Sequence, residues 1–309
     1  MAILPGKSYR DPLPPLTDGQ VRRREALRED VTALAEGIGE RQLDLPGSLE
    51  RTADHLEERL RDMGWEPERH CFEVAGRSCC NLLVDPRAPG PPLIVGAHYD
   101  TVPGSPGAND NATGVAVLLA LAASLRDGPP LPLRLAFFVN EEPPHFHSEA
   151  MGSLRYALDR RDAGEHLAGA IALDGLGYFD PHPGSQEYPP PMQMLYPSTA
   201  DFIAFVANGG STGLLRRLVG AFRARAAFPS EGAILPEGAP GAGWSDHWSF
   251  WQAGYEGVMV TDTLPFRYPH YHAPTDTVDR VDFDRLVRVS DGLIATVRSL
   301  AAEGDQGGS

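Results

Sequence analysis

Two histidines and a set of carboxylates fall where strands should end. His98 and Asp100 stand two apart after the apolar run 93–97, and a Gly/Pro/Ser-rich stretch then leads to Asp110, which lies between two asparagines. Side chains two apart on a strand share one face, so one of the pair can hold a metal while the other orients its neighbour. Glu141 and Glu142 follow the run 133–139, Asp174 follows 170–173, and Tyr271-His272 comes in a loop after 257–261. Adjacent side chains diverge, so the two glutamates can take different tasks. In open α/β sheets ligands bind at the carboxyl ends of the strands. Any one of these residues reads equally well as a cap or a solvated loop residue. Together they supply imidazoles, hard oxygen donors and a carboxylate able to bridge, which is what two adjacent divalent ions require. Two such ions share a water that becomes a nucleophile near neutral pH, and the spare glutamate can serve as its base.

The elements that must position these residues are legible in the hydrophobic periodicity. Short apolar runs at 81–84, 93–97, 133–139, 170–173 and 257–261 predict strands, and 26–38, 112–125, 214–227 and 283–300 predict helices. The segment SLERTADHLEERLRDMGW puts Leu49, Ala53, Leu56, Leu60 and Met63 on one helical stripe, with Ser48 as N-cap and Gly64 as stop. Strands alternating with helices predict the α/β class, here a single-domain three-layer αβα sandwich with a mostly parallel, mixed central sheet. Residues 1–17 are Pro-rich and read as an extended arm, 18–302 as the folded domain, and 303–309 as a disordered tail. Pro/Gly-rich loops near 180–192 and 232–243 are long enough to be functional or disordered. Ser245-Asp246-His247 cannot be a triad, which is built from separated residues. Ser245 is expected to cap the helix SDHWSFWQAG, ending at Gly254. Asp246 and His247 are then either contacts to the site or solvated first-turn residues, and Phe250 and Trp251 either wall the pocket or, as the simpler reading has it, belong to the core.

Composition narrows the partners. The 309 residues are 42% hydrophobic, enough for a sizeable core, and carry a formal charge of −15 with a pI near 5.0. That balance argues against nucleic acid and anionic membrane surfaces. Cys71, Cys79 and Cys80 are too few for a disulfide framework and suggest reduced thiols in a reducing compartment. Neither a signal peptide nor an apolar run of about 18 residues is read in the sequence, so no membrane span is expected and the expected location is cytoplasmic. The sequon Asn111-Ala112-Thr113 reads as coincidental.

His98-Tyr99-Asp100, Gly107-Ala108-Asn109-Asp110-Asn111, Glu141-Glu142, Asp174 and Tyr271-His272, in that order, resemble the M28 family of zinc aminopeptidases over roughly residues 20–300. The resemblance implies the zinc-peptidase, phosphorylase/hydrolase-like fold. It also implies that His98, Asp110 and Asp174 hold one zinc and Asp110, Glu142 and His272 the other. Cobalt or manganese would suit the same ligands. By the same resemblance Asp100 orients His98, Glu141 is the general base, and the Asp110-Asn111 peptide is cis. Tyr271 either donates a hydrogen bond to the tetrahedral oxyanion or packs under its loop. The implied function is a co-catalytic dizinc exopeptidase, an aminopeptidase that hydrolyses the N-terminal peptide bond of a substrate with a free N-terminus through a metal-bridging hydroxide. The oligomeric state is left open. Two stretches depart from the family pattern: the loop 143–150, with His145 and His147 read as surface residues, and the insertion that begins at Tyr178. Both bear on the substrate. The alternatives are an M28-type carboxypeptidase, an M20-like deacylase, a glutaminyl cyclase, or a non-catalytic binding module of the same fold. Against the M20 group, only 98 positions separate Asp174 from His272, too few for its inserted domain.

Overall fold

The computed structural model describes residues 4–126 and 129–304. At its centre is an eight-stranded sheet: β1 (Glu68–Val74), β2 (Arg77–Val84), β3 (Leu93–His98), β4 (Leu133–Phe138), β5 (Gly169–Leu173), β6 (Ile203–Ala207), β7 (Ser230–Ile234) and β8 (Gly257–Thr261). In space the order is β1-β2-β4-β3-β5-β8-β6-β7. Neighbours β4/β3, β3/β5, β5/β8 and β6/β7 run parallel, and β1/β2, β2/β4 and β8/β6 antiparallel. Strands β3 and β5 are buried along their whole length, so their sequences are continuous apolar runs with no polar alternation.

One face of the sheet carries α1 (Asp18–Thr32), α2 (Ser48–Asp62), α3 (Thr113–Leu125), α5 (Thr212–Arg225) and α7 (Phe283–Gly304). The other carries α4 (Gly152–Asp162) and α6 (His247–Gln252) over its middle strands. This is the expected layered α/β architecture. Over β6 and β8 the second face is covered differently: Tyr188, from the 178–200 segment, packs with Leu235 on Phe202, Ala204, Val206 and Met259.

The stripe on α2 behaves as its spacing predicts: Leu49, Ala53, Leu56 and Leu60 are all buried, each leucine contributing roughly 1.5–3 kcal/mol. Its start does not. Gly47, at φ +72, is the N-cap, and the Ser48 hydroxyl instead donates to the Gln42 carbonyl and accepts the Gln42 amide. The first helix begins at Asp18, well before residue 26, because Thr17 forms a capping box with Gln20. Helix α7 runs on to Gly304, into the stretch expected to be tail, and residues 305–309 lie outside the described residues.

Strands β1, β6 and β7 and helix α4 were not anticipated. β1 and β7 are edge strands with charged or glycine positions, ERHCFEV and SEGAI, and α4 starts on a glycine without a side-chain cap. The segment 108–125 also departs from expectation. It is long and apolar enough to cross a bilayer by composition, but 83% of it is buried as α3 and the turn before it.

The cysteines require a correction. Cys71 and Cys80 form a disulfide, not a pair of thiols. Ala75 and Gly76, both at positive φ, make a two-residue hairpin turn, and the register that follows sets Cys71 directly opposite Cys80. The pairing was invisible while β1 was unread, and it removes the thiol-based argument for a reducing compartment. Cys79 is free and buried. Alkylating the denatured, unreduced chain should label Cys79 alone, and all three cysteines only after reduction, as read by intact mass.

Candidate metal centre

The ends of three neighbouring strands and two loops converge. His98 closes β3, Glu141 and Glu142 follow β4 through Asn140 at φ +59, and Asp174 directly follows β5. Asp110 reaches in from the turn before α3, and His272 from the loop after β8. The two oxygens of Asp110 divide between the histidines: Oδ1 lies 3.4 Å from His98 Nε2 and Oδ2 lies 3.3 Å from His272 Nε2. Asp174 Oδ1 is 3.5 Å from His98 Nε2, and Glu142 Oε2 is 3.0 Å from His272 Nε2. Two groups result, His98-Asp110-Asp174 and Asp110-Glu142-His272, each with donor atoms within 4.8 Å of one another and with Asp110 in common. A third grouping, His98-Glu141-Glu142, overlaps both.

The donor set fits divalent ions. Glu142 Oε1 and Asp174 Oδ1 are buried without a hydrogen-bond partner, which native interiors rarely tolerate unless something else binds there. His98 Nδ1 lies 3.2 Å from the Asp100 carbonyl oxygen. That oxygen only accepts, so the ring is held with Nδ1 protonated and Nε2 facing the carboxylates. Neutral imidazole with carboxylate is a donor set suited to zinc.

The electrostatics agree. Burial alone would lower the His98 imidazole, but Glu141, Asp100, Asp110 and Asp174 outweigh it and raise it well above its ordinary value. His272 is pushed up to about 10, burial being overcome by Asp110 and Glu142. Burial first, then Asp110, pushes Glu142 up to about 8. Burial likewise raises Glu141 well above the carboxylate range. Asp110 is held below that range against its burial, by its contacts with His272 and His98. The site is an excess of buried negative charge that draws in positive charge.

Neighbouring side chains fix this arrangement. The Asp100 oxygens each accept a backbone amide at 3.1 Å, from Glu141 and from Glu142, so Asp100 ties the end of β3 to the glutamate pair. Its carboxylate stands 3.7 Å from His98 Nδ1. Asp276 accepts the amides of Asn109 and Asp110 at 2.8 and 3.1 Å and the Tyr268 hydroxyl at 2.6 Å. Asn111 donates to the Leu173 carbonyl, and its own oxygen accepts the amides of Gly114 and Gly175. The Asp110-Asn111 peptide is cis. A side chain at Gly107, where φ is +60, would overlap Thr101 and the Asp110 carbonyl, so only glycine fits that turn. Beneath it the fully buried Arg41 guanidinium donates to the carbonyls of Tyr99, Leu34, Gly39, Pro106 and Gly107.

Sequence reading missed Arg41 and Asp276. Asp276 lies in the same loop as His272, four residues on, and is legible as an acid near a candidate ligand, whereas Arg41 has no local signal. The Tyr271 ring stacks on His272 at 3.7 Å, and burial raises its phenol above the ordinary value. His147 is sandwiched between Phe146 and Trp248 and donates to the Gly243 carbonyl. Neither it nor His145 enters a metal grouping. Ser245 does not cap α6 through its hydroxyl, which is buried and unpartnered. Asp246 and His247 are fully buried, not solvated, and Asp246 feels the charges of His98, Asp174 and Asp100. Phe250 and Trp251 are core, as expected. A cavity of about 250 Å³ opens at the carboxylate cluster and extends between the 178–200 segment and the sheet.

Comparison with known proteins places this geometry. Residues 83–297 match the description of peptidase family M28. An uncharacterized Escherichia coli protein, YfbL, is 34% identical over 281 residues, covering 87% of this chain and 86% of its own. Aminopeptidase YwaD of Bacillus subtilis is 28% identical over 66% of this chain, which spans only 40% of that relative's length. Among solved structures, a zinc aminopeptidase from Bacillus subtilis superposes with a TM-score of 0.68 at 16% identity, over 90% of this chain and 95% of that one. A Porphyromonas gingivalis glutaminyl cyclase superposes with 0.66 at 19% identity, over 90% and 98%. At such identities these two likenesses speak for the fold.

Arg41→Met should keep much of the stem while leaving buried carbonyls without a donor. Its unfolding free energy by chemical denaturation should fall by at least ~2 kcal/mol.

Proposed function

Because the chain belongs to peptidase family M28, we propose that it is a zinc aminopeptidase that releases the N-terminal residue of a peptide or aminoacyl substrate. The observation that carries this reading is Asp110, shared between two imidazole-carboxylate groups at the end of an apolar cavity. The aminopeptidases among its relatives support it. His98, Asp110 and Asp174 would hold one ion, and Asp110, Glu142 and His272 a second. Bound there, zinc acidifies water and polarises a carbonyl.

The chain's own groups supply the rest. Glu141 lies outside both groups that share Asp110, yet its carboxylate is 3.8 Å from His98 Nε2. From that position it takes the proton of the attacking water and returns it to the departing amine. Asp100 keeps Glu141 and Glu142 in register through their amides, so base and ligand hold fixed positions relative to His98. The Tyr271 hydroxyl, carried on the ring stacked against His272, donates a hydrogen bond to the oxygen that becomes negative as the carbonyl turns tetrahedral. The free α-ammonium of the substrate sits against the carboxylates of Glu142 and Asp174.

The test is a panel of aminoacyl amides with free amines, their N-acetylated counterparts, C-terminally free peptides and an N-terminal glutaminyl peptide. Only free-amine substrates should be hydrolysed, with two zinc ions bound per chain by elemental analysis and activity lost on chelation. Glu141→Gln should lower kcat by about 10²–10⁴-fold while zinc content stays at two. Cleavage of N-blocked substrates, or cyclisation of the glutaminyl peptide without hydrolysis, would overturn the assignment.

A further inference from the structure

The cavity has an acidic far end. Leu173 pairs with Val260, so Asp174 stands opposite Thr261. Thr261 pairs with Ala204, and Ala204 with Glu231. Paired residues project to the same side of a sheet, so Asp174, Thr261, Ala204 and Glu231 form one row across β5, β8, β6 and β7, and all four line the cavity. Three strand spacings put the ends of that row roughly 14 Å apart. The two residues between them are short, which leaves a trough from the metal ligand Asp174 to the carboxylate of Glu231.

Glu231 is half-buried, and among the described residues no hydrogen bond or ion pair to its carboxylate is found. Arg223 and Arg10 exert the nearest opposing charge. The Arg223 guanidinium is committed to Ser230 and to the carbonyls of Pro5 and Gly6. Over the trough the Tyr188 and Tyr196 rings lie 5.8 Å apart, and their hydroxyls donate to the Pro197 and Gly232 carbonyls. What they offer the cavity is ring surface. Burial raises the Glu231 carboxyl above its ordinary value, a cost that an incoming cation would relieve. A carboxylate beside aromatic faces at the end of an apolar channel recognises an organic cation on a long apolar stem.

We propose that this trough receives a basic N-terminal side chain, lysine or arginine, with Glu231 pairing its terminal charge. The inference rests on the aminopeptidase reading and names its substrate class. The 178–200 segment supplies the selective roof, and the trough favours a charged end over an apolar one of equal length.

Lysyl and norleucyl amides differ only in that terminal ammonium. The unaltered enzyme should turn over the lysyl amide with kcat/KM about tenfold or more above the norleucyl amide. Glu231→Gln should bring the ratio to about one while norleucyl turnover stays within about threefold, and Glu231→Leu should invert it. A ratio near one in the unaltered enzyme, or one that Glu231→Gln leaves unchanged, overturns the proposal while leaving the aminopeptidase assignment intact. If no free-amine substrate is hydrolysed, calorimetric binding of free lysine and free norleucine decides the matter. Tighter lysine binding that Glu231→Gln abolishes would support the acidic trough with the peptidase reading lost, and equal binding would overturn both.

Discussion

The organising constraint of this molecule is repulsion among buried carboxylates. Asp110, Glu141, Glu142 and Asp174 are each at most 5% exposed and surround only two imidazoles. Charges so close in a water-poor site are costly unless cations stand among them. The fold must therefore hold acids where they would not gather on their own, and much of the surrounding hydrogen bonding serves that end. Asp276 and Asn111 engage the backbone of the segments that carry the carboxylates, and Asp100 does so too while also holding the His98 ring. The carboxylates are thus left free for an ion while their main chain is fixed. Arg41 does the same from below, with one buried cation spent on loop carbonyls.

The parallel centre of the sheet makes this possible. β3, β4 and β5 run in one direction, so His98, the glutamate pair and Asp174 emerge at one edge without any special loop. Asp110 and His272 are the two candidate ligands that come from loops, and both loops are tied back by Asp276. The reversal of direction between β8 and β6 then sets the beginnings of β6 and β7 beside the endings of β5 and β8. That is why a side chain near the start of β7 shares a row with a residue just past the end of β5.

How much could be read beforehand follows from where the information lies. His98, Glu141, Glu142 and Asp174 each follow an apolar run, and Asp110 and His272 a turn or loop, so their convergence was legible from strand ends and the loops that follow them. Strands β2, β4, β3, β5 and β8 carry apolar runs and were legible for the same reason, whereas β6, an equally buried run IAFVA, was not picked out. β1 and β7 lie at the edges, where half the side chains meet solvent and periodicity fades. With β1 unread, the disulfide was misjudged. With β6 and β7 unread, Glu231 was one acid among many. Arg41 acts on a loop some sixty positions away, and no local pattern encodes such a contact.

The extended arm has a consequence beyond its own packing. The Ser8 hydroxyl accepts the amide of Ser230, Leu4 lies over Gly232, and Pro5 and Gly6 take hydrogen bonds from Arg223. The arm thereby takes up the Ser230 amide, a hydrogen-bonding position that an outer strand would otherwise present to another chain. It also braces the strand that forms the far wall of the cavity. Residues 4–8 act as a buttress, so the strand at the far end of the cavity is anchored by a part of the chain that does not itself line that cavity.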